Sequence, residues 1–232
     1  MIQQNPFYPL WYVSNDNSGE IETTTYPSFG SVKPVRPGAK SYSDSVNGNK
    51  RSVIFSTSMT KRIVAESFNQ KHYTKGKATF HRFHGGKARH IRHQVETHLY
   101  EERPDAAIIL AGGNDLPTNR QKPTSIATIA NQIMDIAFMC KKYEVPDICV
   151  SSVLPRRGGY MEGDMELRRS ELNDVLRSLC DIYNFIFIDH DFGSTKITLS
   201  DHIERDGVHL NAVGSEVLAH SFGSVLNRIH SH

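Results

Sequence analysis

The sequence predicts an α/β protein, a three-layer α/β/α sandwich built around a five-stranded parallel sheet. Five short runs of β-branched or aromatic residues follow one another from residue 52 onward. Longer stretches with the apolar spacing of a helix separate these runs. The runs are apolar along their whole length, which is typical of strands covered by helices on both faces. Five strands in this alternation favour a flavodoxin-like sheet.

Each predicted element has its own signal in the sequence. The strand runs read Ser-Val-Ile-Phe, Ala-Thr-Phe-His-Arg-Phe, Ala-Ala-Ile-Ile-Leu, Ile-Cys-Val-Ser-Ser and Phe-Ile-Phe-Ile. They occupy residues 52–55, 78–83, 106–110, 148–152 and 185–188. The stretches with helical spacing between and after them occupy residues 59–69, 88–102, 124–143, 164–183 and 211–228. No internal repeat accompanies this order.

Residues 1–50 have a different composition. They contain clusters of Asn, Asp, Ser, Gly and Pro at 15–19, 33–38 and 46–49, without a helical or strand period. We therefore expect an irregular, disordered N-terminal tail over residues 1–50 and one folded domain over residues 51–232.

The overall composition excludes several classes of protein. With 232 residues, 38% of them hydrophobic and 22% charged, the chain can bury a core and is not fibrous or wholly disordered. No apolar run approaches the roughly 20 residues of a membrane-spanning helix. The first residues lack the basic start and apolar stretch of a signal peptide. These features predict an intracellular, cytoplasmic protein, in which Cys140, Cys149 and Cys180 are buried free thiols.

Small and polar residues follow four of the predicted strands. Parallel strands end at the same edge of a sheet, so the residues that follow them converge in space. Together they supply a hydroxyl, an imidazole, a carboxylate and hydrogen-bond donors, the groups that acyl transfer by a serine requires. The segments are 56–60 after the first strand, 84–87 after the second, 111–115 after the third and 206–210 beyond the fifth.

These segments resemble the sequence blocks of the SGNH/GDSL hydrolases. Residues 56–59 are similar to the first block, Gly86 to the glycine of the second, residues 112–115 to the GxND of the third, and residues 206–210 to the DxxH of the fifth. The blocks stand in the family's order, and the likeness covers residues 52–228. The chain departs from the pattern at Ser56-Thr57, where the family usually has Gly-Asp.

The resemblance implies a serine esterase or acetylesterase that works through an acyl-enzyme and needs no cofactor or metal. Ser58 would be the nucleophile, His209 the general base and Asp206 the residue that orients the imidazole. The amides of Ser58 and Gly86 and the side chain of Asn114 would form the oxyanion hole.

Two further residues, His84 and Gly113, are expected to line the pocket.

The residues proposed for catalysis and for the oxyanion hole each also have a simpler interpretation. Ser58 is a candidate helix cap, Asp206 and Gly86 are candidate turn residues, Asn114 is a candidate turn or cap residue, and His209 is a candidate loop residue.

A basic segment, residues 61–93, suggests an alternative function. It has nine Lys or Arg residues against Glu66 alone, a local net charge of +8. Such a segment predicts a catalytically weak or inactive module that binds nucleic acid or another polyanion. The nine cations are Lys61, Arg62, Lys71, Lys75, Lys77, Arg82, Lys87, Arg89 and Arg92.

The same segment is rich in histidine. His81, His84, His90 and His93 were considered as metal ligands, but no Cys or carboxylate within the segment completes a zinc set with them. The short hydrolase-like domain, the irregular tail and the basic segment together resemble the esterase domains of first-open-reading-frame proteins of some non-LTR retrotransposons. That resemblance implies a mobile-element or domesticated protein.

Overall fold

A computed structural model describes residues 50–116, 124–157 and 162–231. The predicted N-terminal tail, apart from Lys50, lies outside these residues. The five strands are β1 (Lys50–Ser56), β2 (Gly76–Arg82), β3 (Ala106–Leu110), β4 (Asp147–Ser151) and β5 (Ile186–Ile188). The α-helices are α1 (Ala65–Lys71), α2 (Ala88–Glu102), α3 (Ile126–Lys142), α4 (Glu162–Tyr183), α5 (Leu199–His202) and α6 (Ala212–Ile229).

The strands form one parallel sheet in the order β2-β1-β3-β4-β5. The prediction of a five-stranded, flavodoxin-like parallel sheet is confirmed. The strand order reverses between β1 and β3, because β2 lies on one side of β1 and all later strands lie on the other. In sheets of this kind, ligands bind at the carboxyl ends of the strands beside this reversal.

Apolar side chains cover both faces of the sheet. Val53 and Phe55 of β1 pack with α2, α3 and α4, whereas Ile54 between them packs on the opposite face with α1 and α6. Side chains alternate between the faces of a strand, so a strand buried on both sides is apolar throughout. Each fully buried Ile or Phe side chain contributes about 1.5–3 kcal/mol to stability.

The first predicted helix differs from the observed structure. Instead of one helix over 59–69, the chain forms a 3₁₀ turn, Ser58–Thr60, and then α1 from Ala65. Arg82 of β2 donates from Nε to the carbonyl of Thr60 at 3.2 Å and from Nη2 to that of Ile63 at 2.5 Å. These side-chain bonds satisfy carbonyls that a continuous helix would have satisfied itself, so the helix can break between them.

Two other findings bear on the sequence predictions. All three cysteines are buried and free, as predicted. Among the helices of the described ranges, none combines the length and the apolar character that a membrane crossing needs.

Candidate active site

Ser58 lies two residues beyond the end of β1, at the carboxyl edge of the sheet. It opens the 3₁₀ turn, and its carbonyl accepts the N–H of Lys61 at 3.0 Å. Thr57 precedes the turn as its N-cap, so Ser58 is not the capping residue. The N–H of Ser58 has no acceptor among the residues that the structure describes. A free amide therefore lies beside the serine hydroxyl.

The Ser56-Thr57 pair, which stands in place of Gly-Asp, is buried in this turn. The N–H of Thr57 donates to the carbonyl of Leu110 on β3 at 3.3 Å. The hydroxyls of Ser56 and Thr60 share a hydrogen bond of 2.6 Å across the turn. These bonds fix the backbone on both sides of Ser58 without a carboxylate at position 57.

Ser58, His209 and Asp206 form a continuous hydrogen-bonded chain. Ser58 Oγ lies 3.0 Å from His209 Nε2, and His209 Nδ1 lies 2.6 Å from Asp206 Oδ2. The second carboxylate oxygen, Asp206 Oδ1, accepts the N–H groups of Val208 at 2.8 Å and of His209 at 2.9 Å. These bonds, first of all the backbone N–H of His209, hold the pKa of the Asp206 carboxyl well below its usual range.

The ionised Asp206 carboxylate fixes the tautomer of His209. It only accepts hydrogen bonds, so Nδ1 of the ring must carry the proton that faces it. In the neutral ring, the lone pair of Nε2 then faces the hydroxyl of Ser58. This is the arrangement in which an imidazole removes a proton from a serine.

The loop that carries Asp206 and His209 is held from several sides. The N–H of Glu204 donates to the carbonyl of His209 at 2.7 Å, and the N–H of Arg157 donates to that of Gly207 at 2.5 Å. The Glu204 carboxylate lies 2.6 Å from Arg62 Nη2. Gly207 has a φ of +72°, and a Cβ there would lie 2.6 Å from Cβ of Arg157. This close approach requires glycine.

Asn114 follows β3 and faces the same edge of the sheet. Its Nδ2 donates to the carbonyl of Gly86 at 3.0 Å. Nη1 of Arg156 donates to Oδ1 of Asn114 at 3.1 Å and to the carbonyl of Gly113 at 2.6 Å. The bond from Arg156 identifies the amide oxygen of Asn114 and so fixes the orientation of the amide. The second hydrogen on Nδ2 has no acceptor within the described ranges.

Gly86 does not present its amide as the sequence analysis expected. Its N–H donates to the carbonyl of Phe83 at 2.9 Å in a tight turn, in which Gly85 has a φ of +66°. Gly86 contributes its carbonyl instead, as the acceptor for Asn114. In this conformation Ser58 and Asn114 supply the free donors, and the amide of Gly86 joins them only if the turn releases it.

Asp115, the last residue of the Gly-Gly-Asn-Asp motif, has a separate role. It is buried, and its Oδ2 accepts the N–H of Ala88 at 3.0 Å at the start of α2. Burial raises the pKa of the Asp115 carboxyl. A carboxylate that accepts a first-turn N–H stabilises the helix N-terminus, so Asp115 joins the loop after β3 to α2.

A depression of about 300 Å³, part of it open solvent, lies beside Ser58, lined by its neighbours Thr57 and Met59. Gly113 lines it, whereas His84 is exposed and is not one of the described residues that line it. The walls are mostly apolar, with one guanidinium. The lining residues are Thr57, Met59, Leu110, Ala111, Gly113, Asn114, Val153, Leu154 and Arg156.

Arg156 follows β4 at the edge where the other site residues converge, but no motif in the sequence indicates its role. Asn173 of α4 holds the segment before it, because its Oδ1 accepts the N–H of Val153 at 2.7 Å. Arg169, also buried, donates to the carbonyl of Val153 at 3.0 Å and pairs with Asp191 at 2.7 Å. Glu204 was missed as well, and no motif marked it.

Four cations of the basic segment contact carboxylates or backbone carbonyls. Lys61 and Arg62 pair with Glu204, Arg82 donates to two carbonyls, and Arg92 Nε lies 3.5 Å from Asp135. These contacts leave fewer cations to face a polyanion than the local net charge suggests. The nucleic-acid role and the retrotransposon resemblance stay predictions.

Comparisons with known proteins agree with this fold. No curated protein matches the sequence. A GDSL-like lipase from Bacteroides thetaiotaomicron is 17% identical, with a TM-score of 0.64 over 78% of this chain and 89% of that one. The lipase/acylhydrolase from Enterococcus faecalis is 16% identical, with a TM-score of 0.60 over 78% and 96%. A catalytic mutant of an acetylxylan esterase from Geobacillus stearothermophilus is 15% identical, with a TM-score of 0.61 over 77% and 95%.

At this level of identity the structural likeness establishes the α/β fold. The family comes from the sequence itself, because residues 57–217 match the GDSL-like lipase/acylhydrolase family. That range begins beside Ser58 and includes every residue of the candidate site. The chain belongs to the GDSL-like lipase/acylhydrolase family.

Proposed function

We propose that the protein is a serine esterase that hydrolyses a carboxylic ester with a small acyl group, such as an acetyl ester, through an acyl-enzyme. The observation that carries this proposal is the continuous hydrogen-bonded chain from Ser58 through His209 to Asp206. It joins a hydroxyl, an imidazole of defined tautomer and an ionised carboxylate in the order that nucleophilic catalysis needs.

In the first half of the reaction, Ser58 Oγ attacks the ester carbonyl while its proton moves to His209 Nε2. Asp206 stabilises the resulting imidazolium. The carbonyl oxygen becomes an oxyanion, which accepts hydrogen bonds from the N–H of Ser58 and from Nδ2 of Asn114. Collapse of this intermediate breaks the ester C–O bond, and the alcohol leaves with the proton from His209.

In the second half, water attacks the acyl-enzyme, and His209 takes its proton. The new tetrahedral intermediate uses the same two donors. Its collapse releases the carboxylic acid and returns the proton to Ser58 Oγ. The side chains needed for every proton transfer are therefore present, and no step requires a metal or an organic cofactor.

The depression beside Ser58 supports a small acyl group. It is about 300 Å³ even when open solvent is included, so its enclosed part is smaller than the roughly 300–1,000 Å³ of pockets that hold drug-sized ligands. Met59 and Leu154 supply apolar wall, whereas Arg156 adds a charge that a long acyl chain would have to desolvate.

Hydrolysis of p-nitrophenyl acetate, butyrate and octanoate by the purified chain tests the proposal. We expect kcat/KM to be highest for acetate and to fall with acyl length. Ser58→Ala should abolish turnover, whereas Ser170→Ala, on the exposed face of α4, should leave it unchanged. Turnover that survives Ser58→Ala would refute the serine mechanism, and a preference for octanoate would refute the small acyl group.

A further inference from the structure

A second cluster of chemically active side chains lies on β2 and α2. It consists of His81 near the end of β2 and of His98 and Glu102 in the last turns of α2. The candidate ligand atoms of the three residues all lie within 4.8 Å of one another. His84, His90 and His93, the other candidate ligands in the sequence, are not part of this cluster.

The fold explains why these three side chains meet. His98 and Glu102 are four residues apart, so they occupy the same face of α2 on successive turns. His81 belongs to β2, the edge strand of the sheet. Its ring stacks on that of His98, with centroids 3.7 Å apart and an angle of 25° between the planes.

The ion pairs within this cluster do not satisfy the hydrogen-bonding capacity of all its atoms. His81 Nε2 lies 2.5 Å from Glu102 Oε1, and His98 Nδ1 lies 3.9 Å from the same oxygen. Nevertheless His81 Nε2 is a buried atom without a hydrogen bond of acceptable geometry. The carboxylate oxygen is close to the nitrogen but does not satisfy it.

The cation next to His81 in the sequence makes its contacts elsewhere. Arg82 donates to the carbonyls of Thr60 and Ile63, so the carboxylate of Glu102 faces the two imidazoles.

We propose that His81, His98 and Glu102 bind one zinc ion. Two imidazole nitrogens and one carboxylate oxygen form a donor set that zinc accepts, with water as the fourth ligand of a tetrahedral site. The side chains of His98 and Glu102 are 30% and 27% exposed, so both the ion and the water can reach the cluster. Phe55 and Phe83 flank the imidazoles with apolar surface.

The zinc ion would have a structural role. It would join the edge strand β2 to the end of α2, two elements separated along the chain by the turn that contains Gly86. None of its ligands belongs to the hydrogen-bonded chain of Ser58, His209 and Asp206. Binding to the folded state alone raises the stability of that state with the concentration of free ion.

Titration of the EDTA-treated, dialysed chain with ZnCl₂, followed by calorimetry and thermal unfolding, tests the site. Because the chain has 12 histidines, the comparison between variants decides the outcome. We expect the wild-type chain to bind one equivalent of zinc. His98→Ala and Glu102→Gln should bind zinc at least about tenfold more weakly. The zinc-dependent rise in Tm should fall in parallel. His93→Ala, on the exposed surface of α2, should behave as wild type.

Glu102→Gln is nearly isosteric, so it tests the ligand set even if His98→Ala unfolds the chain. Co²⁺ provides an independent readout, since a tetrahedral site should produce visible absorption in wild type and in His93→Ala but not in Glu102→Gln. Equal zinc affinity and stoichiometry in wild type and Glu102→Gln, or no binding by wild type, would overturn the proposal. Neither result depends on esterase activity.

Discussion

The two halves of the candidate site are prepared to different degrees. On the side of the nucleophile, Ser58, His209 and Asp206 are already joined by hydrogen bonds of 3.0 and 2.6 Å. On the side of the oxyanion, Asn114 is oriented, but the N–H of Gly86 is bonded to the carbonyl of Phe83.

The difference follows from where the residues of each half lie along the chain. Asp206 and His209 are three residues apart in one loop, and backbone bonds within that loop fix their relation. The oxyanion half instead combines the ends of β1, β2 and β3 with Arg156 from beyond β4. A site assembled from several loops depends on the conformation of each, so we expect its residues to contribute separately and in smaller steps.

Among variants that keep Ser58 and His209, Asp206→Asn should have the largest effect. An asparagine can still accept the N–H groups of Val208 and His209, but its NH₂ group would face His209 Nδ1 and favour the wrong tautomer. We expect kcat for p-nitrophenyl acetate to fall by about 10⁴. Asp181→Asn, on the exposed surface of α4, is the control. A loss of less than tenfold in kcat would mean that Asp206 does not orient His209 as the general base.

Asn114→Ala should have the next largest effect, because it removes one of the two free donors to the oxyanion. We expect a fall in kcat of about 10²–10³ with little change in KM, since the donor acts mainly in the transition state. Steady-state kinetics alongside the surface variant Gln94→Ala would measure it. An unchanged kcat would show that the oxyanion binds elsewhere, and the amide of Gly86 would then be the first alternative.

Arg156→Ala should lower kcat by about 10², because Asn114 loses the partner that fixes its amide. Arg156→Lys should restore part of the loss, since an ammonium can reach one of the two carbonyl oxygens. The decisive test is the double variant Arg156→Ala with Asn114→Ala, which should be no slower than Asn114→Ala alone. Additive losses would contradict a positioning role for Arg156.

Glu204→Gln should have the smallest effect. It removes the ion pairs with Arg62 and Lys61 but keeps the backbone bond from Glu204 to His209. For a partly exposed pair we expect a change in unfolding free energy below about 1 kcal/mol and a change in kcat of only a few-fold. Urea unfolding and kinetics would measure both. A loss as large as that of Asn114→Ala would show that the nucleophile half also depends on a long-range contact.

Most of the fold could be predicted from the sequence because strands that are buried on both faces are apolar at every position. Runs such as 106–110 are apolar at every position, and the observed β3 has the predicted bounds. The error in the first helix arose from Arg82, whose bonds to the carbonyls of Thr60 and Ile63 come from a neighbouring strand. No pattern in the sequence near residue 60 predicts that contact.

The same division applies to the site. The sequence could predict that Ser58, Asp206 and His209 meet because strand ends converge and because the last two stand in one short motif; their catalytic roles stay a proposal. The state of the Gly86 amide depends on a turn, and the role of Arg156 depends on which carbonyls lie within its reach. Spacing in the sequence specifies neither of these.

Labelling with a fluorophosphonate probe, followed by mass spectrometry of the intact chain, tests the central claim most directly. The probe reacts only with a serine that a neighbouring base activates. We predict one adduct on the wild-type chain, located at Ser58, and none on Ser58→Ala or His209→Ala. A folded wild-type chain that takes up no probe, or an adduct that persists in Ser58→Ala, would contradict the proposal that Ser58 and His209 form a working nucleophile.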